Sequence, residues 1–157
     1  MVDADQITLL DGGGLVQLET MAFGARVHRL WVGTPSGPRD VVLGHSSVAG
    51  YRQAGDYMGA TVGRYANRIA DAALEIAGRR HRLAPNEHGS TLHGGPEGFS
   101  EQDWTLSARS HRHVEYTLTS PDGDQGFPGT LLVTATYTVR SDGVEIELTA
   151  TTDAPPW

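Results

Sequence analysis

Two neighbouring stretches near the C-terminus, TLLVTATYTV at 130–139 and GVEIELTATT at 143–152, constrain the fold more than any other part of this chain. In the first, Leu131, Val133, Ala135, Tyr137 and Val139 occupy every second position and threonine fills most of the others. In the second, Val144, Ile146, Leu148 and Ala150 alternate with Glu145, Glu147, Thr149 and Thr151. Successive side chains of an extended backbone point to opposite faces, so this period of two predicts strands with one buried and one wet face. The intervening Ser141 to Gly143 is short and turn-forming, which predicts a hairpin.

The same alternation runs upstream through Val114, Tyr116 and Leu118, and Trp104 and Leu106 head an earlier strand. ALEIAGRRHRL predicts a tight hairpin turning at Gly78 and Arg79. Further strands are expected at Gln6 to Leu10, Leu15 to Ala22, Ala25 to Val32 and Asp40 to Leu43, with almost no helical stripe anywhere. The 20 glycines and 8 prolines supply the punctuation that many short strands need. Each strand buries one face, so the expected class is all-β: two sheets meeting as a sandwich, with a closed barrel as the alternative. At 157 residues the default is one domain over 1–157.

Twelve arginines and no lysine against 19 acidic residues leave a formal charge of -7, which argues against a phosphate-backbone binder. No nucleic acid partner is expected, and no apolar run reaches membrane-spanning length. The opening MVDADQITLL lacks the charged flank and apolar centre of a secretory signal, so a cytoplasmic location is expected. Without cysteine, any chemistry falls to His, Asp, Glu, Arg, Tyr or Ser.

Two stretches break the alternation, 51–68 and 85–103; both are long, glycine-rich and polar. Loops of this kind on a rigid scaffold are where binding groups are sought. TVGRYANRI, at 61–69, places Arg64, Asn67 and Arg68 within five residues. A guanidinium fork beside an amide suits the hydroxyls of a polyol or sugar, or a carboxylate; the plain alternative is solvated charge at a turn. Tyr65 and Ile69 predict that the segment packs partly inside. The second loop carries Asn86, Glu87, His88 and His93, and Gly94 and Gly95 after His93 permit close approach of a ligand. His88 is expected to be exposed, and a satisfied loop histidine is the plain alternative for His93. His81, His88, His93, His111 and His113 match no zinc spacing, so no metal is expected. Asp122 and Asp124 in SPDGDQGFPG are read as turn formers. No nucleophile elbow, phosphate loop or dinucleotide fingerprint is present, and no cofactor is expected.

GRYANRI at 63–69, LHGGPEGF at 92–99 and DGDQGFPG at 122–129, in that order and joined by all-β sequence, resemble the N-terminal portion of the aldose 1-epimerase (galactose mutarotase) family. The resemblance implies a large β-sandwich that binds hexoses such as galactose or glucose in an open polar cleft and interconverts their α and β anomers through ring opening. It implies that Asn67, Arg68 and His93 contact the sugar, with Arg64, Tyr65 and Asn86 in supporting places. It also implies a second histidine as acid, an aspartate that binds substrate and a glutamate as base, all from sequence beyond TTDAPPW. His93 paired with Glu87 or Asp124 is the one replacement acid/base pair the present residues offer. The expected fold is therefore an incomplete galactose mutarotase-like sandwich, with apolar faces left for another copy or a complementary polypeptide to cover. Three readings follow: an aldose 1-epimerase, a non-catalytic carbohydrate-binding domain, or a structural half-domain.

Overall fold

A computed structural model describes residues 7–154. The first sheet is a four-stranded antiparallel meander of β1 (Ile7–Asp11), β2 (Val16–Met21), β3 (Arg26–Thr34) and β4 (Gly37–Asp40). After it come α1 (Val48–Ala54) and a run of short elements: β5 (Arg68–Ile69), β6 (Ala73–Ile76), β7 (Arg79–Arg82) and β8 (Thr91–Leu92). β5 pairs with β8 and β6 with β7. The chain closes with β9 (Thr105–Arg109), β10 (His113–Ser120), β11 (Leu131–Val139) and β12 (Val144–Thr152), which form the second sheet in the order β12-β11-β10-β9.

The expected sandwich core is present. Leu10, Val16 and Leu18 from the first sheet share one buried cluster with Val114, Tyr116, Val133, Ala135, Tyr137 and Val139 from the second. Their alternation in sequence is what lets both sheets turn an apolar face to the same space. Two polar pairs lie inside: Thr20 Oγ1 and Tyr116 OH are 2.9 Å apart, and Tyr137 OH donates to the Ala25 carbonyl. Burial pushes the Tyr137 phenol up to about 12.

Several sequence expectations are corrected. The strand expected at Asp40 to Leu43 is β4, three residues earlier: Pro35 and Ser36 close a two-residue turn, so pairing starts at Thr34 with Gly37 and ends at Trp31 with Asp40. Val41 and Leu43 are left exposed. The β6–β7 hairpin turns at Ala77 and Gly78, because Ile76 pairs with Arg79 and the two turn residues have φ of 49° and 76°, the positive values that tight hairpin turns require. Gln6 lies outside the described residues. The short α1 had been missed. Ser47 caps it by accepting from the Gly50 N–H at 3.2 Å, Gly55 ends it at φ 61°, and Val48 and Tyr51 are its buried residues.

The uncovered apolar face expected of an incomplete sandwich is found on β12. Ile146 is opposite Tyr137 and Leu148 opposite Ala135, so β12 aims its apolar residues to the core side as expected. Yet Ile146 is 53% and Leu148 57% exposed, while Tyr137 and Ala135 are 2% and 0% exposed. β12 is the edge of its sheet. Below it, a largely apolar cavity of about 350 Å³ is lined by Phe99, Phe127, Leu131, Val133 and Leu148, with Arg64 at its wall.

Candidate functional site

The two polar loops are seated on the sandwich by backbone and buried side-chain bonds. Val27 N–H donates to Gly59 O at 2.9 Å, Thr61 N–H to Gly24 O at 2.9 Å, and Thr61 Oγ1 to Ala25 O at 3.1 Å. Arg26, whose side chain is fully buried, clamps both loops at once. Its guanidinium donates to the carbonyls of Asp56 and Met58 on either side of Tyr57, and to that of Ser100, at 3.0–3.1 Å. The rings of Phe23 and Tyr51 lie about its Cζ at 5.0 and 5.1 Å. Burial holds the Arg26 guanidinium below its ordinary value, partly offset by Glu101 and Asp56. An arginine on a strand reads as a wet-face residue in sequence, so this clamp had no signal there.

On that base the TVGRYANRI and LHGG segments are joined directly. Arg68 and Ile69 pair with Leu92 and Thr91 in the β5–β8 ladder. One step beyond it, His93 N–H donates to Asn67 O at 3.1 Å and Asn67 N–H donates to His93 Nδ1 at 3.0 Å. Asn67 and His93 both adopt left-handed backbone, φ 72° and 51°, a conformation that asparagine and histidine tolerate better than most side chains. Asn86 extends the ladder as a strand would: its side-chain amide donates to Leu92 O at 3.0 Å and its Oδ1 accepts from Leu92 N–H at 2.7 Å.

The lock has a chemical consequence for His93. With Nδ1 accepting from a backbone amide, the neutral ring carries its proton on Nε2. Partial burial, then the nearby Arg68 charge, hold its pKa below the ordinary 6.5, with Glu87 opposing them. Near neutral pH His93 is therefore an uncharged donor through Nε2. Tyr57 packs edge-on against the ring at 4.5 Å and its OH lies 3.5 Å from the Asn86 amide nitrogen. Sequence reasoning had not singled out Tyr57; an aromatic within a glycine-rich polar loop was the available signal.

Asn67, Arg68, Asn86 and His93 are thus brought together. Arg68 is bound side-on by Glu87, with Nη2 donating to Oε1 at 2.7 Å and Nε donating to Oε2. That bond holds the Glu87 carboxyl below the usual range, so it stays ionised and occupied. It is poorly placed to serve as a proton carrier near neutral pH. Asp124 stands elsewhere, accepting from Ser120 Oγ, while Asp122 Oδ1 accepts the Gly129 N–H, as expected of turn formers. The carboxylates of Glu87 and Asp124 are thus engaged by Arg68 and Ser120, and His93 Nδ1 by the Asn67 amide.

Arg64 turns away from this group. It donates to Ser120 Oγ, Ser120 O, Pro121 O and Pro128 O at 2.8–2.9 Å, binding the 120–130 loop to the TVGR segment. Tyr65 is 42% exposed, and the inward packing of the segment comes through Ile69, which lies against Ala72, Leu83 and Phe127. His88 is exposed. Among the described residues no group of three His, Asp or Glu side chains could hold a metal ion, and no helix is long and apolar enough to cross a membrane.

The family model described as aldose 1-epimerase matches residues 5–156. The chain belongs to the aldose 1-epimerase family. It is 37% identical over 151 residues to the aldose 1-epimerase of Escherichia coli K12, which covers 95% of this chain and 43% of that one. With human galactose mutarotase it shares 39% over 133 residues, 84% of this chain and 38% of the other. The crystal structure of a GalM/aldose epimerase homologue from C. elegans superposes with a TM-score of 0.91 at 29% identity, covering 96% of this chain and 47% of that chain. The chain therefore spans less than half the length of these relatives. Its fold is the galactose mutarotase-like β-sandwich, partial relative to theirs.

Proposed function

We propose that this aldose 1-epimerase family chain binds the ring and hydroxyl oxygens of an aldose through Asn67, Arg68 and His93. We further propose that it contributes the sugar-holding part of a site that interconverts α and β anomers. The observation that carries the reading is the reciprocal bonding of Asn67 and His93, which aligns a neutral Nε2–H donor beside a guanidinium. The names of the relatives, aldose 1-epimerase and galactose mutarotase, support a hexose such as galactose or glucose as the ligand.

Anomer exchange requires a proton delivered to the ring oxygen and another removed from the C1 hydroxyl. The C1–O bond of the ring then opens to the aldehyde, the C1–C2 bond rotates, and the ring recloses on the other face. A hydrogen bond from His93 Nε2–H suits an oxygen that gains negative charge. On this reading the two groups that exchange protons with the sugar come from protein outside the described residues, and Glu87 is committed to Arg68. The unroofed face of β12 favours the same division, in which more protein completes the fold.

The expected result for the chain alone is sugar binding without faster mutarotation. Polarimetry of freshly dissolved α-D-glucose and α-D-galactose, run on protein shown to be folded, tests the second half of that statement. A rate that rises in proportion to added chain would overturn it. Titration of galactose into Arg68→Ala tests the first half: equal binding by variant and parent removes Arg68 from the site.

A further inference from the structure

Arg68 is long and more than half exposed, and such a side chain ordered only at the moment of binding forfeits affinity. Its guanidinium is nonetheless held on two sides. Asn67 Oδ1 accepts from Nη1 at 3.3 Å, and both carboxylate oxygens of Glu87 take the Nε and Nη2 edge. Glu87 is itself carried on a tight turn. Its N–H donates to Ser90 O at 3.1 Å, its carbonyl accepts from Ser90 N–H at 2.8 Å, and His88 and Gly89 between them have φ of 47° and 82°. Asn86, just before it, is fastened to both backbone groups of Leu92. The carboxylate therefore stands on backbone tied to the β5–β8 ladder that carries Arg68.

We propose that Glu87 is a positioning residue for Arg68. By filling one edge of the fork while Asn67 takes one N–H of Nη1, it leaves one N–H on each terminal nitrogen to meet a ligand oxygen, and it removes the rotational freedom that binding would otherwise have to freeze. The proposal rests on the reading of Arg68 as a sugar contact. A planar fork and a two-oxygen carboxylate match in shape as well as charge, so an amide at position 87 keeps the size and loses the match.

The test uses the whole chain, with galactose titrated by NMR and the Arg68 Nε–H resonance followed in the absence of sugar. Glu87→Gln is expected to weaken galactose binding by roughly two- to tenfold, the range for freeing one rotamer-rich side chain. It is also expected to speed the solvent exchange of the Arg68 Nε–H. Glu87→Asp, which keeps the charge on a shorter arm, is expected to fall between the two. In an Arg68→Ala background, Glu87→Gln is expected to have no further effect on binding. Unchanged or tighter binding by Glu87→Gln overturns the proposal, the tighter case marking Glu87 as a competitor of the sugar. Weaker binding with an unaltered Nε–H also overturns it, because the effect then bypasses Arg68. If Arg68→Ala binds galactose as the parent does, the sugar-contact reading fails instead, and the Nε–H measurement still reports whether Glu87 holds the side chain.

Discussion

Replacing Arg64 by alanine separates its structural role from sugar contact. The guanidinium makes four hydrogen bonds of 2.8–2.9 Å, three of them to carbonyls of a loop more than fifty residues away. Hydrogen bonds to a charged partner contribute about 1.5–3 kcal/mol each, and water entering the vacated space recovers part of that at each carbonyl. A net loss of about 3 kcal/mol is the expected outcome for the set, well below the simple sum. With a urea slope of about 2 kcal/mol per molar for a chain this size, the unfolding midpoint should fall by about 1.5 M at unchanged slope. Arg64→Lys should recover less than half, because an ammonium cannot address Ser120 and Pro128 from one plane. Below its transition the alanine variant should bind galactose within about twofold of the parent, since the Asn67–His93 lock does not pass through Arg64. A midpoint within about 0.3 M of the parent would refute the structural role, and a midpoint shift accompanied by tenfold weaker binding would return Arg64 to the site.

Gly94→Ala should lower the melting temperature by about 10 °C, from a cost of about 3 kcal/mol or more. A Cβ there would lie 1.7 Å from Gly63 O on a backbone at φ +92°, so a calorimetric scan showing parental stability would contradict the packing of LHGG on TVGR. His28 and His93 are both held below 6.5, first by burial. The unfolded chain therefore takes up protons first as the pH falls through 6.5, and stability should drop there and level off below the folded values; urea midpoints between about pH 7.5 and about pH 5.5 measure it. Tyr137 shows the opposite sign. Its folded value near 12 against an ordinary 10.0 means that the unfolded state ionises first. Stability should fall by roughly 2–3 kcal/mol from pH 10 to pH 12, and Tyr137→Phe should reduce that loss in alkaline unfolding curves.

Strand existence was legible because the alternation in TLLVTATYTV and its neighbours is a direct imprint of the pleat, and every such strand is present. What failed was decided by turns and by neighbours. The Ala77–Gly78 turn sits one residue earlier than expected because the tight hairpin needs two positive φ values in succession, and alanine gives no sign of accepting one. β4 begins where Pro35 and Ser36 allow it, although Val41 to Leu43 has the stronger strand composition. α1 was hidden because only Val48 and Tyr51 face inward, too few for a stripe. In the site, residue types were legible and partners were not. Chemistry marked Arg64, Asn67, Arg68 and His93 as candidates and the family resemblance separated Arg64 from the rest, whereas the Arg26 clamp, the Tyr57 packing and the Glu87 brace depend on contacts across 19 to 74 positions of chain that no local pattern encodes. Of the two residues expected to carry the segment partly inside, Ile69 packs on the Ala72, Leu83 and Phe127 cluster and Tyr65 is 42% exposed.

The exposure of β12 and the order of the sugar-holding group belong to one argument about how this fold divides. β12 faces its apolar side to the core, where Val144 packs but Ile146 and Leu148 stay more than half exposed. The Asn67–His93 lock, the β5–β8 ladder and the Asn86 brace are closed entirely within residues 67–93, and Arg26 ties their loops to the first sheet rather than to β12. The proposed sugar-binding surface is closed within these described residues. On the proposed reading, a completing segment adds proton-transfer groups to a site already aimed, with recognition and chemistry on separable parts of the fold. Leu148→Ser tests that separation. It lies on the uncovered face, so it should leave the stability of the isolated chain within about 0.5 kcal/mol and galactose binding unchanged. A loss of several kcal/mol in the isolated chain would mean that β12 is already covered, and the division would not stand.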